Sequence, residues 1–136
     1  MEKISDMIVE PCIESPYLTP LRLSYEQNGY VKAWDLLCAH GGVSIIIFNV
    51  SRNKLVLVKQ FRPPIFYADF PASAKPKIGD RISVAAHDVT KGFTIELCAG
   101  IIDKNKSLPE IAAEEVMEEC GYKVDPKNLE QVSCYR

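Results

Sequence analysis

Residues 114–122 read EEVMEECGY, four glutamates within nine residues and neither lysine nor arginine among them. On a helix Glu114 and Glu118 lie four apart, Glu115 and Glu119 lie four apart, and Glu115 and Glu118 lie three apart. Each such like-charge pair costs an isolated helix about 0.2–0.5 kcal/mol. Two readings account for the cost: a solvated acidic face, or a cation from outside the chain seated against the carboxylates. Hard divalent cations such as Mg²⁺ take oxygen ligands, commonly one or two carboxylates, a carbonyl, waters and substrate phosphates. Such an ion neutralises a diphosphate, acidifies water and stabilises charge on a leaving phosphate. The backbone oxygen of Ala99, at the end of the run FTIELCAG over 93–100, could complete the set. Spacing alone leaves the two readings level.

The elements that must position these groups are legible around them. Ser107 and Glu110 form a capping box, and Pro109 falls in a first turn that loses no hydrogen bond to it, so a helix should begin at about Leu108. At about 100° per residue, Ala112, Ala113, Val116, Met117 and Cys120 gather on one side and Glu115, Glu118 and Glu119 on the opposite one. Gly121 stands where a helix stops in left-handed geometry, and a last strand is expected near Leu129 to Tyr135. Upstream, Asn28-Gly29 between two strand-like runs predicts a hairpin at about 21 to 37. VSIIIFNV (43–50) and LVLVKQF (55–61), joined by the polar turn SRNK, read as strands covered on both faces. Residues 62–92 hold four prolines and no period, and read as a long loop. The order of strands, loop, strand, helix and strand is that of an α/β protein.

At 136 residues the chain is the size of one ordinary domain, and 47% hydrophobic with 25% charged residues is the balance of a soluble globular protein. A net charge of -2 gives no reason to expect nucleic acid or an anionic membrane as partner. The charged N-terminal residues do not form a secretory signal, and the most apolar stretch, Val43 to Val50, is far short of the roughly 20 residues that cross a bilayer. Five widely spaced cysteines without a CxxC pair argue against a disulfide framework or a zinc site and for small buried thiols in a reducing, cytoplasmic setting. Two histidines leave little for a histidine-based centre, and the sequon at Asn49 is expected to be idle.

Gly100 to Tyr122 resembles the Nudix box: Gly, five residues, Glu, seven residues, Arg-Glu, a bulky apolar residue, any residue, Glu-Glu, any residue, Gly and an apolar residue. Gly100, Glu115, Val116, Glu118, Glu119, Gly121 and Tyr122 match at the required spacing. Two positions depart as a pair: Lys106 stands where the pattern has Glu, and Glu114 where it has Arg. In the family these positions form a structural ion pair, so the exchange of charges would keep the tie while losing the bidentate fork of arginine. SPYLTPL, YEQNG, KAWD, VKQFRPP, ELCAG and EECGY extend the likeness over most of the chain from Ser15 to Tyr135, apart from 66–92. Together they are similar to the branch of Nudix hydrolases acting on UDP-sugars and ADP-ribose.

The resemblance implies a Nudix fold, a mixed β-sheet sandwiched by helices, with residues 1–40 as an N-terminal segment and hairpin for dimerisation or substrate and 41–136 as a partial hydrolase domain. It implies Mg²⁺, with Mn²⁺ as a substitute, held by the Ala99 carbonyl, Glu115 and Glu119, with Glu118 as a further ligand or as the group that positions water. Gln60 and Arg62 would meet the diphosphate or sugar, Arg through its planar fork, and Glu96 would line the same pocket. Trp34 would stack on the nucleobase across a homodimer interface. Each has a plainer reading: Trp34 as packing, Arg62 as a loop residue, Glu96 as a solvated strand end. The implied reaction is hydrolysis of UDP-glucose to UMP and glucose 1-phosphate; ADP-ribose is the alternative substrate, and a non-catalytic nucleotide-binding or dimerising fragment, or a purely structural acidic-helix domain, are the alternatives in kind. In the family the fold continues past the strand that would end at Arg136. The expectation is therefore a chain incomplete at its C-terminus, with an apolar sheet face uncovered, marginal stability and weak or no activity.

Overall fold

The computed structural model describes residues 3–135. Two long strands, β2 (Leu18–Gln27) and β3 (Tyr30–Ala39), pair from Leu18↔Ala39 to Gln27↔Tyr30. The turn works because Asn28 and Gly29 both accept positive φ, 56° and 78°, as a two-residue hairpin turn with matching twist requires. Arg22 grips Asp35 across the strands through Nε and Nη2 at 2.7 and 3.0 Å, and the indole of Trp34 donates to the Tyr25 hydroxyl at 3.0 Å. Apart from half-buried Tyr25, every residue of both strands is exposed.

The remaining strands come from three stretches of chain. The first holds β4 (Gly42–Ile45) and β5 (Ile47–Asn49), the second β6 (Lys54–Val56) and β7 (Val58–Phe61), the third β9 (Phe93–Glu96) and β10 (Cys98–Ile101). β5 pairs β6, β7 pairs β9, and β10 pairs β4, all antiparallel. Each stretch thus exchanges one neighbour for another at a single residue, Ile46, Leu57 or Leu97, and the three meet in a closed three-way seam. A mixed sheet needs parallel pairs as well; none forms among the described residues, because each stretch is spent on two short antiparallel ladders.

α2 (Leu108–Cys120) covers one face of this seam. Glu110 accepts from the Ser107 amide at 2.8 Å and its hydroxyl at 2.6 Å, and Gly121 ends the helix at φ 72°. Val116 and Ile111 are fully buried, with Ile45 and Cys98 beside Val116 and with Val43, Ile47, Val58, Ala112, Cys120 and Val124 packed around them. Burial alternates along 43–49 and 55–60, so the strands are covered on one face, not two as their composition suggested: Ile46, Phe48, Leu55, Leu57 and Ile95 lie exposed on the other. Continuous branched-apolar runs say that a strand can be buried on both sides, not that a second layer is present. Met117, expected on the buried side, is exposed because it sits at the margin of the helix stripe, and Ile111 takes the core place instead.

Residues 62–92 are not a structureless loop. Pro63 and Pro64 open a short helix, α1 (Pro63–Ala68), as prolines suit a first turn. Three 3₁₀ turns follow, and β8 (Arg81–Ile82) pairs with β1 (Met7–Ile8), tied further by the Asp6 carboxylate accepting from the Val84 amide at 2.8 Å. Aromatic rings hold this segment to the seam: Phe61 lies 5.7 Å from Phe66 and 5.5 Å from Phe93 by ring centroids. A Cβ on buried Gly92 would stand 2.3 Å from Phe61 Cε2 and 2.8 Å from Phe66 Cβ. Gly92→Ala is therefore expected to lower stability by about 1–3 kcal/mol, read from the denaturation midpoint, since the Phe61 ring and the Phe66 Cβ must both give way.

Residues 129–135 form no strand; Val132 and Tyr135 are exposed and the segment has no ladder partner among the described residues. All five cysteines are free, but only Cys98 is buried, because Cys12, Cys38 and Cys134 lie on arms that do not pack. Burial, with Cys120 and Glu119 close by, pushes the Cys98 thiol up to about 12, so it stays protonated and packs as a small apolar group. The sequon residue Asn49 uses its amide to donate to the Tyr122 hydroxyl at 3.1 Å. Among the described residues no helix is long and apolar enough to cross a membrane.

Candidate active site

The third stretch of the seam carries the candidate site along its length. At its Glu96 end, four donors converge on one carboxylate. Arg62 reaches Oε1 through Nε at 2.9 Å and Oε2 through Nη2 at 2.5 Å, Gln60 donates to Oε2 at 3.3 Å, and the Thr94 hydroxyl to Oε1 at 2.5 Å. The ladder makes this possible, because β7 and β9 set Gln60 opposite Thr94 and Val58 opposite Glu96. The Arg62 fork, then Thr94, hold the Glu96 carboxyl down at about 2, and Glu96 in turn raises the Arg62 guanidinium further above its ordinary value. Because the folded-state value lies below the unfolded one, this group favours folding above the ordinary carboxylate range and loses that contribution as pH falls toward 2. We expect Glu96 to titrate near pH 2 in a carboxyl NMR titration and to move up toward 4.5 in Arg62→Ala.

At the other end β10 meets α2. The Ala99 amide donates to Glu119 Oε2 at 3.1 Å, which ties β10 to α2 and brings the Glu119 carboxylate to Ala99. Glu115 turns its carboxylate onto Gly100: a Cβ there would fall 2.0 Å from Glu115 Cδ and 2.2 Å from Oε1. Glu115 is half-buried, and burial first, then the charges of Glu118 and Glu119, raise its pKa from the ordinary glutamate value. The field of Glu119 also reaches Arg62, which places the two ends of the site within electrostatic range of each other.

Three sequence-predicted residues stand apart. Glu118 is exposed, with Lys104 Nζ 4.0 Å away. Trp34 stays on the hairpin, exposed and bonded to Tyr25. Glu114 belongs to a different structure from its neighbours: Lys106 meets its Oε1 and Lys104 its Oε2 at 3.1 Å, and these two ammonium groups, Lys106 first, lower its pKa. The exchanged charges thus keep the loop tied to the helix, two lysines doing with two oxygens what one arginine fork would do. Lys104 and Thr94 were missed in the sequence. Thr94 was within reach of a period-2 argument, since it shares a strand face with Glu96; nothing in the spacing singled out Lys104.

Whether these groups suit a divalent cation can be judged from their chemistry. Among the described residues no three His, Cys, Asp or Glu side chains converge into a ready-made cage. The donors are hard oxygens, however, and Glu115 carries a charge that its surroundings penalise. Mg²⁺ is usually held by one or two carboxylates, the other positions going to water and substrate, so the arrangement fits it.

No protein-family model matches the chain. It is 45% identical over its whole length to uridine diphosphate glucose pyrophosphatase NUDT14 of Bos taurus and 42% identical, over 99% of the chain, to the Mus musculus protein of the same name. The chain spans 64% of the length of each. A GDP-mannose pyrophosphatase of Yersinia enterocolitica is 31% identical over 62% of the chain and 34% of its own length.

Proposed function

The chain is a homologue of these nucleotide-sugar pyrophosphatases, and from that premise we propose that it is a Nudix hydrolase cleaving the diphosphate of a nucleoside diphosphate sugar, UDP-glucose to UMP and glucose 1-phosphate. The observation that carries the reading is the joining, on one stretch of strand, of a locked arginine at Glu96 and a carboxylate pair, Glu115 and Glu119, at Ala99–Gly100.

Each residue then has a task. Arg62, fixed by Glu96, which Thr94 holds in turn, offers its remaining donors to a phosphate without first having to order its side chain, and Gln60 lies alongside it. Glu115 and Glu119, with the Ala99 carbonyl, would hold Mg²⁺, or Mn²⁺ in its place. When bound, the ion supplies charge neutralisation of the diphosphate and activation of the attacking water. Glu118, exposed at the rim beside Lys104, would be a further ligand or would position the water. The Lys104–Lys106–Glu114 strut keeps the loop closed against the helix.

Residues 1–40 form the second functional unit in this reading, and 41–136 the partial hydrolase domain. One face of the hairpin exposes Leu21, Leu23, Trp34 and Leu36, which suits a surface shared between two copies, with Trp34 placed to stack on the nucleobase of a substrate held by the partner. Release of UMP from UDP-glucose, dependent on added Mg²⁺, tests the reaction; ADP-ribose and GDP-mannose in the same assay test the specificity. No release from any of the three would overturn the reading in favour of a nucleotide-binding or dimerising fragment.

A further inference from the structure

The chain contains a cavity of about 750 Å³, and none of the candidate site residues lines it. It is built by the 66–91 segment, the stretch that the family likeness leaves out. Its size is within the roughly 300–1,000 Å³ of ordinary small-molecule pockets. Phe66, Phe70 and His87 form one wall. Phe70 and His87 meet edge to face at 4.9 Å between centroids, and Phe66 backs them at 5.5 Å from Phe70.

The other wall is charged, and its charges are unevenly used. Asp69 holds Lys91 at 2.8 Å, Asp80 accepts from the Lys77 amide at 2.7 Å, and Asp88 accepts from the amide and hydroxyl of Thr90 at 3.0 and 2.6 Å. Asp69 is thus neutralised by a cation, while Asp80 and Asp88 are held in place by neutral donors and keep their charge. Lys75, Lys77 and Arg81 also line the cavity, and none of them has a carboxylate partner among the described residues. Lys75 instead rests its ammonium 5.0 Å from the ring centroid of Tyr67. With Lys91 the lining holds four cations against three carboxylates, a net positive charge of one in a chain of net charge -2, and Lys75, Lys77 and Arg81 are the cations without an ion-pair partner among the described residues. Arginine forks and lysine ammonium groups bind phosphate oxygens, while an aromatic wall accepts a planar ring.

We propose that this cavity is a second ligand site, which takes a phosphate monoester carried on a planar ring, as in a nucleoside monophosphate. The phosphate lies among Lys75, Lys77 and Arg81 and the ring lies against Phe70 and His87. The proposal does not depend on the reaction assigned to the carboxylate site. A free phosphate would satisfy the cations alone, so two probes separate the sources: inorganic phosphate and adenosine 5′-monophosphate, each titrated without divalent cation into the isotope-labelled chain. Expected are saturable shifts of the Phe70, Lys77, Arg81 and His87 amides, with the nucleotide bound about tenfold or more tightly than phosphate. The double variant Lys77→Gln/Arg81→Gln should weaken both probes by about tenfold or more, and Phe70→Leu should remove the advantage of the nucleotide while leaving phosphate affinity unchanged. Unshifted amides of the β1–β8 ladder report that the variants are folded, and Lys75→Gln, on an exposed side chain in no ladder, is the second variant if the double one is not. Absence of saturable shifts, unchanged affinity in the lysine and arginine variants, or equal affinity for the two probes overturns the proposal.

Discussion

Glu115→Gln is expected to lower Mg²⁺-dependent hydrolysis of UDP-glucose by about 100-fold or more, the loss that follows from disturbing even the outer partners of a metal site. The fold should survive and gain slightly. Glutamine is nearly the same shape, and it removes a charge that is both half-buried and repelled by Glu118 and Glu119. Calorimetric binding of Mg²⁺ provides a readout independent of turnover: the wild-type melting temperature should rise with Mg²⁺ by mass action, and that rise should vanish in the variant. If the melting temperature of the variant still follows Mg²⁺ as the wild type does, Glu115 is not a ligand and the acidic face is a solvated one.

Gly100→Ala should damage the same function from the opposite side of the contact. The added methyl would occupy the position of the Glu115 carboxyl group, 2.0 Å from Cδ. A carboxyl at the end of a flexible side chain can swing away, so the cost in stability is small beside that of Gly92→Ala, where the packed Phe61 ring and the Phe66 Cβ are the obstacles. What cannot be kept is the carboxylate position. The expected result is an almost unchanged unfolding midpoint with Mg²⁺ affinity and turnover both reduced by about tenfold or more. A variant that binds Mg²⁺ normally would mean that the glycine is needed for packing alone.

The parts of the molecule written in local chemistry were legible in the sequence. Asn28-Gly29 specified a turn because few residues accept positive φ twice in succession, and Ser107, Glu110 and Gly121 marked both ends of α2 because helix termini leave backbone groups that must find partners. The pairing of exchanged charges was legible too, from two departures that only made sense together. What could not be read was everything decided by the neighbour. The splitting of long apolar runs at Ile46, Leu57 and Leu97 depends on which stretch lies alongside, and no feature of those residues announces a change of partner. In the same way Val132 and Tyr135 have strand-forming side chains and no strand, since a ladder needs a second edge. Thr94 was overlooked because it acts only through Glu96.

The uncovered face of the seam has a calorimetric consequence. Ile46, Phe48, Leu55, Leu57 and Ile95 meet water in the native chain as well as in the unfolded one, so melting hydrates less new apolar surface than its length implies. The heat-capacity increment should fall below the usual 12–15 or so cal/mol/K per residue, and with it the curvature of stability against temperature. With a smaller increment the stability curve is flatter, so a given change of temperature away from its maximum costs this chain less than it would a chain covered on both faces.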